Sequence, residues 1–238
     1  VRASHRHASQ GVVRGVFFDL DGTLADTAPD LVAAVNAVRR EEGLGDLALA
    51  GLRDQVSNGG AALVQLAFPQ GRYDQRRDEL TGRFLKHYHH AICHETTLFP
   101  GMAEVLTTLE SQGLAWGVVT NKPAWLTEPL MAELGLAARA TSIVSGDTTP
   151  ERKPDPLPLR HACQLAGVDP AQCLYVGDAQ RDIQAGTAAG MRTVVAAFGY
   201  IARHEPIEAW GADTIIDSPG ELLTLLTGMR STGPLPVA

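Results

Sequence analysis

Four short strings carry side chains able to attack an electrophile, hold a metal ion or grip an anion. In Asp19-Leu20-Asp21-Gly22-Thr23-Leu24, two carboxylates one residue apart project to the same side of an extended backbone. Like charges so close do not both ionise cheaply unless a cation or a proton intervenes. Gly22 lets the chain turn sharply after them. Thr120 and Asn121 end a second apolar run, and a hydroxyl or amide leading into a helix can bind a phosphate oxygen. Lys153 precedes Pro154, and the nearby prolines restrict the backbone and aim its ammonium. Asp178 and Asp182 stand four apart after Gly177, so one helical turn stacks them on one face.

Each string alone has an ordinary reading: an acidic loop, a Thr or Asn helix cap, a solvated lysine, acids at a helix N-terminus. Their joint placement at successive strand ends argues for chemistry. Asp19, Asp21, Asp178 and Asp182 sum to −4 when ionised, and Lys153 returns +1. Such a pocket repels anions until a divalent cation enters. An all-oxygen donor set favours Mg²⁺, which also holds substrate phosphates. A phosphoester bridged between Mg²⁺ and Lys153 then lies within reach of an aspartate nucleophile.

These strings need a scaffold that brings strand ends together. Apolar runs at residues 15–20, 114–120, 142–145, 173–176, 193–197 and 214–216 read as buried strands. Helical patterns at 102–112, 125–134, 157–166, 181–189 and 221–226 separate them. The alternation predicts an α/β fold, a Rossmann-like parallel sheet with ligands at its strand ends. Residues 30–95 break the alternation with helix patterns alone. Leu31, Ala34, Val35 and Val38 share one face there, and Leu80, Phe84, His87 and Tyr88 another. The expected organisation is a core of residues 12–27 and 98–230, a helical cap of 28–97, and loose ends at 1–11 and 231–238. The linkers 26–29 and 96–101 contain Pro and Gly suited to hinges.

Twenty Lys+Arg against 27 Asp+Glu give a net charge of −7, which disfavours polyanionic partners such as nucleic acid or a membrane surface. No apolar run approaches the ~20 residues of a spanning helix. Cys93, Cys163 and Cys173 lack paired spacing, so neither a disulfide framework nor a zinc site is expected, and the default compartment is the cytoplasm. The first ten residues have no apolar segment of a secretory signal.

The four strings together resemble the four motifs of the haloacid dehalogenase superfamily of phosphatases, and the helical insert resembles its α-helical cap. The resemblance covers roughly residues 14–226. It implies that Asp19 is the nucleophile, forming an aspartyl-phosphate. Asp21 then protonates the leaving alcohol and later activates water. Thr120 and Lys153 hold the phosphoryl oxygens, with Asn121 beside them. Asp19, the Asp21 main-chain carbonyl and Asp178 bind Mg²⁺, and Asp182 supports its waters. Ala179, where relatives often carry Ser, is a mild departure. Residues 19–31, 117–123, 153–159, 174–186 and 199–201 are similar to phosphoglycolate phosphatases. Residues 115–123 and 209–217 look closer to the branch acting on N-acetylmuramic acid 6-phosphate. The expected substrate is therefore a small phosphorylated metabolite, 2-phosphoglycolate first and the amino-sugar phosphate as alternative, with a monomer or homodimer as the acting form. The rival readings are a sugar-phosphate mutase, a phospho-receiver and a dehalogenase. The receiver is disfavoured by Gly22-Thr23 and the long insert, and the dehalogenase by the second acid, Asp21.

Within the cap, Ser57-Asn58-Gly59-Gly60 is the candidate loop over the active site, with Asn58 and Gly59 as substrate contacts. His87, His90 and His94, spaced i, i+3 and i+7, are expected along one helical face as plain cap surface. Trp116, inside a predicted strand, is expected in the core.

Overall fold

The structure, a computed structural model, describes residues 2–3 and 12–231. Of the ends expected to be loose, residues 1, 4–11 and 232–238 lie outside the described residues. Arg2–Ala3 forms a short strand, β1.

The central strand β2 (Gly15–Phe18) is buried along its whole length. Val16 and Phe18 pack with Leu106, Leu109 and Leu222, whereas Phe17 packs with Leu159, Cys163 and Ala185 on the other face. A strand covered on both faces reads as continuous apolar sequence. After β3 (Ala25–Asp26) come three insert helices, α1 (Ala28–Glu41), α2 (Gly60–Ala67) and α3 (Gln70–His90), and then β4 (Thr97–Leu98). The chain continues through α4 (Met102–Ser111), β5 (Ala115–Val119), α5 (Ala124–Glu133), β6 (Ser142–Val144) and α6 (Leu157–Ala166). It ends with β7 (Cys173–Gly177), α7 (Gln180–Ala189), β8 (Arg192–Ala196), β9 (Thr214–Ile216) and α8 (Gly220–Ser231).

The sheet order is β1-β9-β8-β7-β2-β5-β6. The six strands from β9 to β6 are parallel, and β1 adds antiparallel to β9. The chain runs outward from β2 through β5 to β6, then crosses to β7 on β2's other side. That reversal opens a crevice at the carboxyl ends of β2, β5 and β7, where open α/β sheets hold ligands. Trp116 is buried in β5, as expected, and its indole N–H reaches Glu110 at 3.0 Å.

In the insert, Leu31, Ala34, Val35 and Val38 are buried on α1, and Leu80, Phe84 and Tyr88 on α3. His87 departs from that face: it sits at the rim and meets Glu41 at 2.8 Å. His94 also departs from expectation. Helix α3 ends at His90, so His94 lies in the following turn and not on the helical face, beside Glu95 at 3.6 Å. Ala25 pairs with Leu98 and Asp26 with Thr97, so the two crossings form an antiparallel ribbon. Buried Asp30 ties them further, accepting from the Glu95 N–H (2.9 Å), the Thr96 N–H (2.9 Å) and the Thr96 hydroxyl (2.7 Å). Two-residue strands carry no readable period, and Asp30 meets residues far along the chain.

Candidate active site

Asp19 follows β2 directly. Its N–H donates to Val176 at 2.9 Å, continuing the pairing with β7, and its Oδ1 accepts the Leu20 N–H at 2.8 Å. The chain then turns at Gly22, whose φ is +82°. A Cβ on Gly22 would overlap the Asp178 carboxylate, so only glycine permits this approach. Asp21 Oδ1 accepts from the Thr27 hydroxyl at 2.6 Å and from Lys122 Nζ at 2.7 Å.

Thr120 follows β5, its N–H bonded to Val144 at 2.9 Å and its Oγ1 accepting the Lys122 N–H at 3.1 Å. Asn121 lines the cavity, but both ends of its amide serve the Lys153 backbone: Nδ2 donates to the carbonyl at 2.9 Å and Oδ1 accepts the N–H at 3.1 Å. Asn121 thus anchors the loop that delivers Lys153. The Lys153 ammonium is buried among four oxygens at 2.8 Å: Asp19 Oδ1, Asp182 Oδ1, the Tyr175 hydroxyl and the Val119 carbonyl. Its hydrogen bonds run to Tyr175 and Val119, so the two carboxylates meet it as ion pairs. The Tyr175 hydroxyl in turn donates to Val119 at 2.7 Å.

Asp178 and Asp182 follow β7. Asp182 Oδ2 accepts the Ala179 N–H at 3.0 Å, fixing the first turn of α7. A Cβ on Gly177 would overlap Asp182. Asp178 Oδ2 accepts from the Tyr200 N–H at 2.9 Å and from the Ser57 hydroxyl at 2.7 Å. Its Oδ1 is buried and has no hydrogen-bond partner. Ligand atoms of Asp19, Asp178 and Asp182 lie within 4.8 Å of one another. An orphaned carboxylate oxygen inside an all-oxygen acid cluster fits a hard divalent cation.

The electrostatics follow from burial. Desolvation raises the Asp19 pKa, with Lys153 pulling it back and Asp182 adding to the rise. Burial, with Asp19 and Asp182 nearby, pushes Asp178 up to about 7. Burial opposes the charge on Lys122, but Asp21 and Tyr88 together outweigh it and hold the amine above its ordinary pKa. A cation joining Lys153 would favour the ionised forms of Asp19 and Asp178.

The crevice is a cavity of about 160 Å³. Asp19, Asp21 and Thr120 form its floor, and Leu31, Val56, Phe84, Tyr88 and Leu126 its apolar wall. Gly59 lines it, as expected of the insert loop. Asn58 does not: it is exposed and faces a second cavity, with its Nδ2 donating to Gln55 Oε1 at 3.1 Å. Residues 53–58 form a 3₁₀ turn, in which residues three apart eclipse, so Asn58 stacks on Gln55 and Ser57 takes the inner position. Sequence reasoning missed Ser57, Lys122 and Arg181 as lining residues. All three lie inside or beside strings already singled out, but no period or spacing marks which of neighbouring polar residues turns inward.

The parallel α/β sheet thus presents a buried carboxylate, a second acid, a lysine and an acid cluster at adjacent strand ends beneath a helical insert. Residues 16–196 match the profile of haloacid dehalogenase-like hydrolases, and the chain belongs to that family. A phosphoglycolate phosphatase of Xanthomonas campestris is 44% identical over 210 residues, covering 88% of this chain and 94% of that protein. An N-acetylmuramic acid 6-phosphate phosphatase of Pseudomonas putida is 42% identical over 210 residues, with the same 88% and 94% coverage. Among solved structures, a predicted phosphoglycolate phosphatase from Haemophilus somnus superposes with a TM-score of 0.79 at 30% identity, over 91% of this chain and 98% of that one. No helix among the described residues is long and apolar enough to cross a membrane.

Proposed function

We propose that the chain is a Mg²⁺-dependent phosphomonoesterase acting on a small phosphorylated metabolite, 2-phosphoglycolate, in the cytoplasm. The observation that carries the reading is the Asp19 carboxylate, buried at the end of β2 with Lys153 Nζ at 2.8 Å, opening onto a cavity that also holds Asp21.

Asp19 attacks phosphorus, and the bond to the alcohol oxygen breaks as the aspartyl-phosphate forms. Asp21 gives the departing oxygen its proton, then takes one from the water that attacks the phosphoryl group and releases phosphate and free Asp19. Thr27 and Lys122 hold Asp21 in place for both transfers. Thr120 and Lys153 face the phosphoryl oxygens, and Asn121 keeps Lys153 there. Mg²⁺ would be held by Asp19, Asp178 and the Asp21 main-chain carbonyl, with Asp182 beside it. When bound, it neutralises the phosphoryl charge that the acid cluster would otherwise repel.

The apolar wall favours a second reading. Leu31, Val56, Phe84, Leu85 and Tyr88 offer a two-carbon acid little to bind, but suit a larger carbon skeleton, such as N-acetylmuramic acid 6-phosphate. Phosphate release from both compounds, compared as kcat/KM, decides. The first reading requires the higher value on 2-phosphoglycolate, the second the higher value on the amino-sugar phosphate. Release from neither rejects both substrate readings, and release from none of a panel of phosphomonoesters overturns the phosphatase assignment.

A further inference from the structure

We propose that Ser57, carried by the helical insert, is a positioning residue for the cation site on the sheet, so that closure of the insert and cation binding are coupled. The inference rests on the reading that Asp19 and Asp178 hold the cation.

Asp178 Oδ2 receives two donors. One is the Tyr200 N–H at 2.9 Å, which belongs to the core. The other is the Ser57 hydroxyl at 2.7 Å, which belongs to the insert. Together they fix the rotation of the carboxylate and consume one oxygen, leaving buried Oδ1 as the free ligand atom. Ser57 is itself held from the far side. Its carbonyl accepts from the Arg181 guanidinium at 2.7 Å, and Arg181 lies on α7 between the two acids of the cluster. Ser57 and Arg181 also line both the substrate cavity and the polar cavity on the other side of Asp178, so the pair forms the partition between them. Among the described residues, no other hydrogen bond joins residues 28–97 to Asp19, Asp178 or Asp182.

A carboxylate that loses one of two orienting donors regains rotational freedom, and its ligand oxygen is no longer preset. Removing such an outer partner typically lowers metal affinity about 10–100-fold. Coupling between two events is reciprocal. If the Ser57 bond tightens cation binding by some factor, the cation favours the seated insert by the same factor.

The test uses the full chain without substrate and Mn²⁺ as the probe, its free aqueous signal followed by electron paramagnetic resonance. Ser57→Ala is expected to weaken Mn²⁺ binding about tenfold or more. Ser57→Thr, which keeps the hydroxyl, should bind within about twofold of the wild type and keeps the test decisive if the alanine variant is less stable. Hydrogen exchange of the 53–58 amides should slow on adding Mn²⁺ in the wild type and in Ser57→Thr, but not in Ser57→Ala. Asp178→Asn separates the two claims. If the wild type does not bind Mn²⁺, or Asp178→Asn binds it equally well, the cation-site reading fails. If the wild type binds, Asp178→Asn does not, and Ser57→Ala matches the wild type in affinity and exchange, the site stands and the role of Ser57 is overturned.

Discussion

Two clusters of acids and bases in this molecule have similar members and opposite character. On the sheet, Lys153 sits between Asp19 and Asp182, all three side chains almost wholly removed from water. On the outer face of the insert, Arg76 and Arg83 grip Glu42, each at 2.6 Å, and Arg83 also reaches Glu41 at 2.6 Å. In the first cluster burial wins, and the pKa values of Asp19 and Asp178 rise. In the second, hydrogen bonds from Arg76 and Arg83 win, and Glu42 is lowered to about 2. The difference teaches where charge is stored for use. Acids left short of countercharge in a dry site favour the entry of a cation. Acids fully matched by arginines at the surface have nothing left to offer a ligand.

Breaking the sheet cluster should have the largest consequence. Asp19→Asn is expected to lower kcat by at least about 10⁴-fold, the scale for removing a covalent nucleophile. Its circular dichroism should match the wild type, because the amide is close in size to the carboxylate. Wild-type turnover in this variant would remove Asp19 from the nucleophile position.

Asp21→Asn should come next. General acid assistance is worth about 10²–10⁴-fold, and a good leaving group needs it less. The loss should therefore be far greater on an alkyl phosphate than on p-nitrophenyl phosphate. Equal losses on both would take leaving-group protonation away from Asp21.

The two clusters should also give opposite pH slopes. Asp178 has a folded pKa raised to about 7 by burial and by Asp19 and Asp182. Its contribution to stability is complete below its unfolded value near 3.8 and is lost as pH rises through about 7. The cation-free protein should therefore melt at a lower temperature at pH 8 than at pH 5.5, as far as this group is concerned. Asp178→Asn should flatten that slope. Added Mg²⁺ should raise the melting temperature more at pH 8 than at pH 5.5, since the cation competes with protons for the same oxygens. A Mg²⁺ effect independent of pH, measured by calorimetry, would contradict this.

The surface cluster should show the reverse sign and the smallest effect. Glu42 is lowered, so its stabilisation is present above its unfolded value near 4.5 and is lost as pH falls towards 2. Arg83→Ala should lower the melting temperature by about 2 °C or less at pH 7, less still in high salt, and leave kcat/KM unchanged. A large loss of activity in this variant would mean that the outer face of the insert communicates with the site.

The buried cluster was legible in the sequence because strand ends are. The apolar runs place Asp19, Thr120 and Asp178 where strands stop, and 157–166 and 214–216 agree with α6 and β9 from end to end. The parallel sheet follows from the same alternation. The insert was legible only as helices. Whether Asn58 or Ser57 turns inward depends on a 3₁₀ turn that has no hydrophobic period. Asp30 tethering Glu95 and Thr96 depends on the insert returning to its point of departure, which no local window contains. His94 shows the limit of spacing arguments: it keeps helical register with His87 and His90, but the helix stops before it.

The ribbon of β3 and β4 has a consequence for how this architecture can be remodelled. Ala25 and Leu98 are direct partners although 72 residues separate them in sequence, so the sheet meets the entire insert as it would meet a hairpin loop. The junction fixes two adjacent chain ends and is indifferent to the length and shape of what lies between them. Segments of other sizes grafted between Asp30 and Glu95 would keep this ribbon and the Thr27 contact to Asp21 while changing what stands above the strand ends, at the cost of the Ser57 contact to Asp178. The ribbon thus gives the insert a fixed point of attachment, while Thr27 and Ser57 carry its contacts to Asp21 and Asp178.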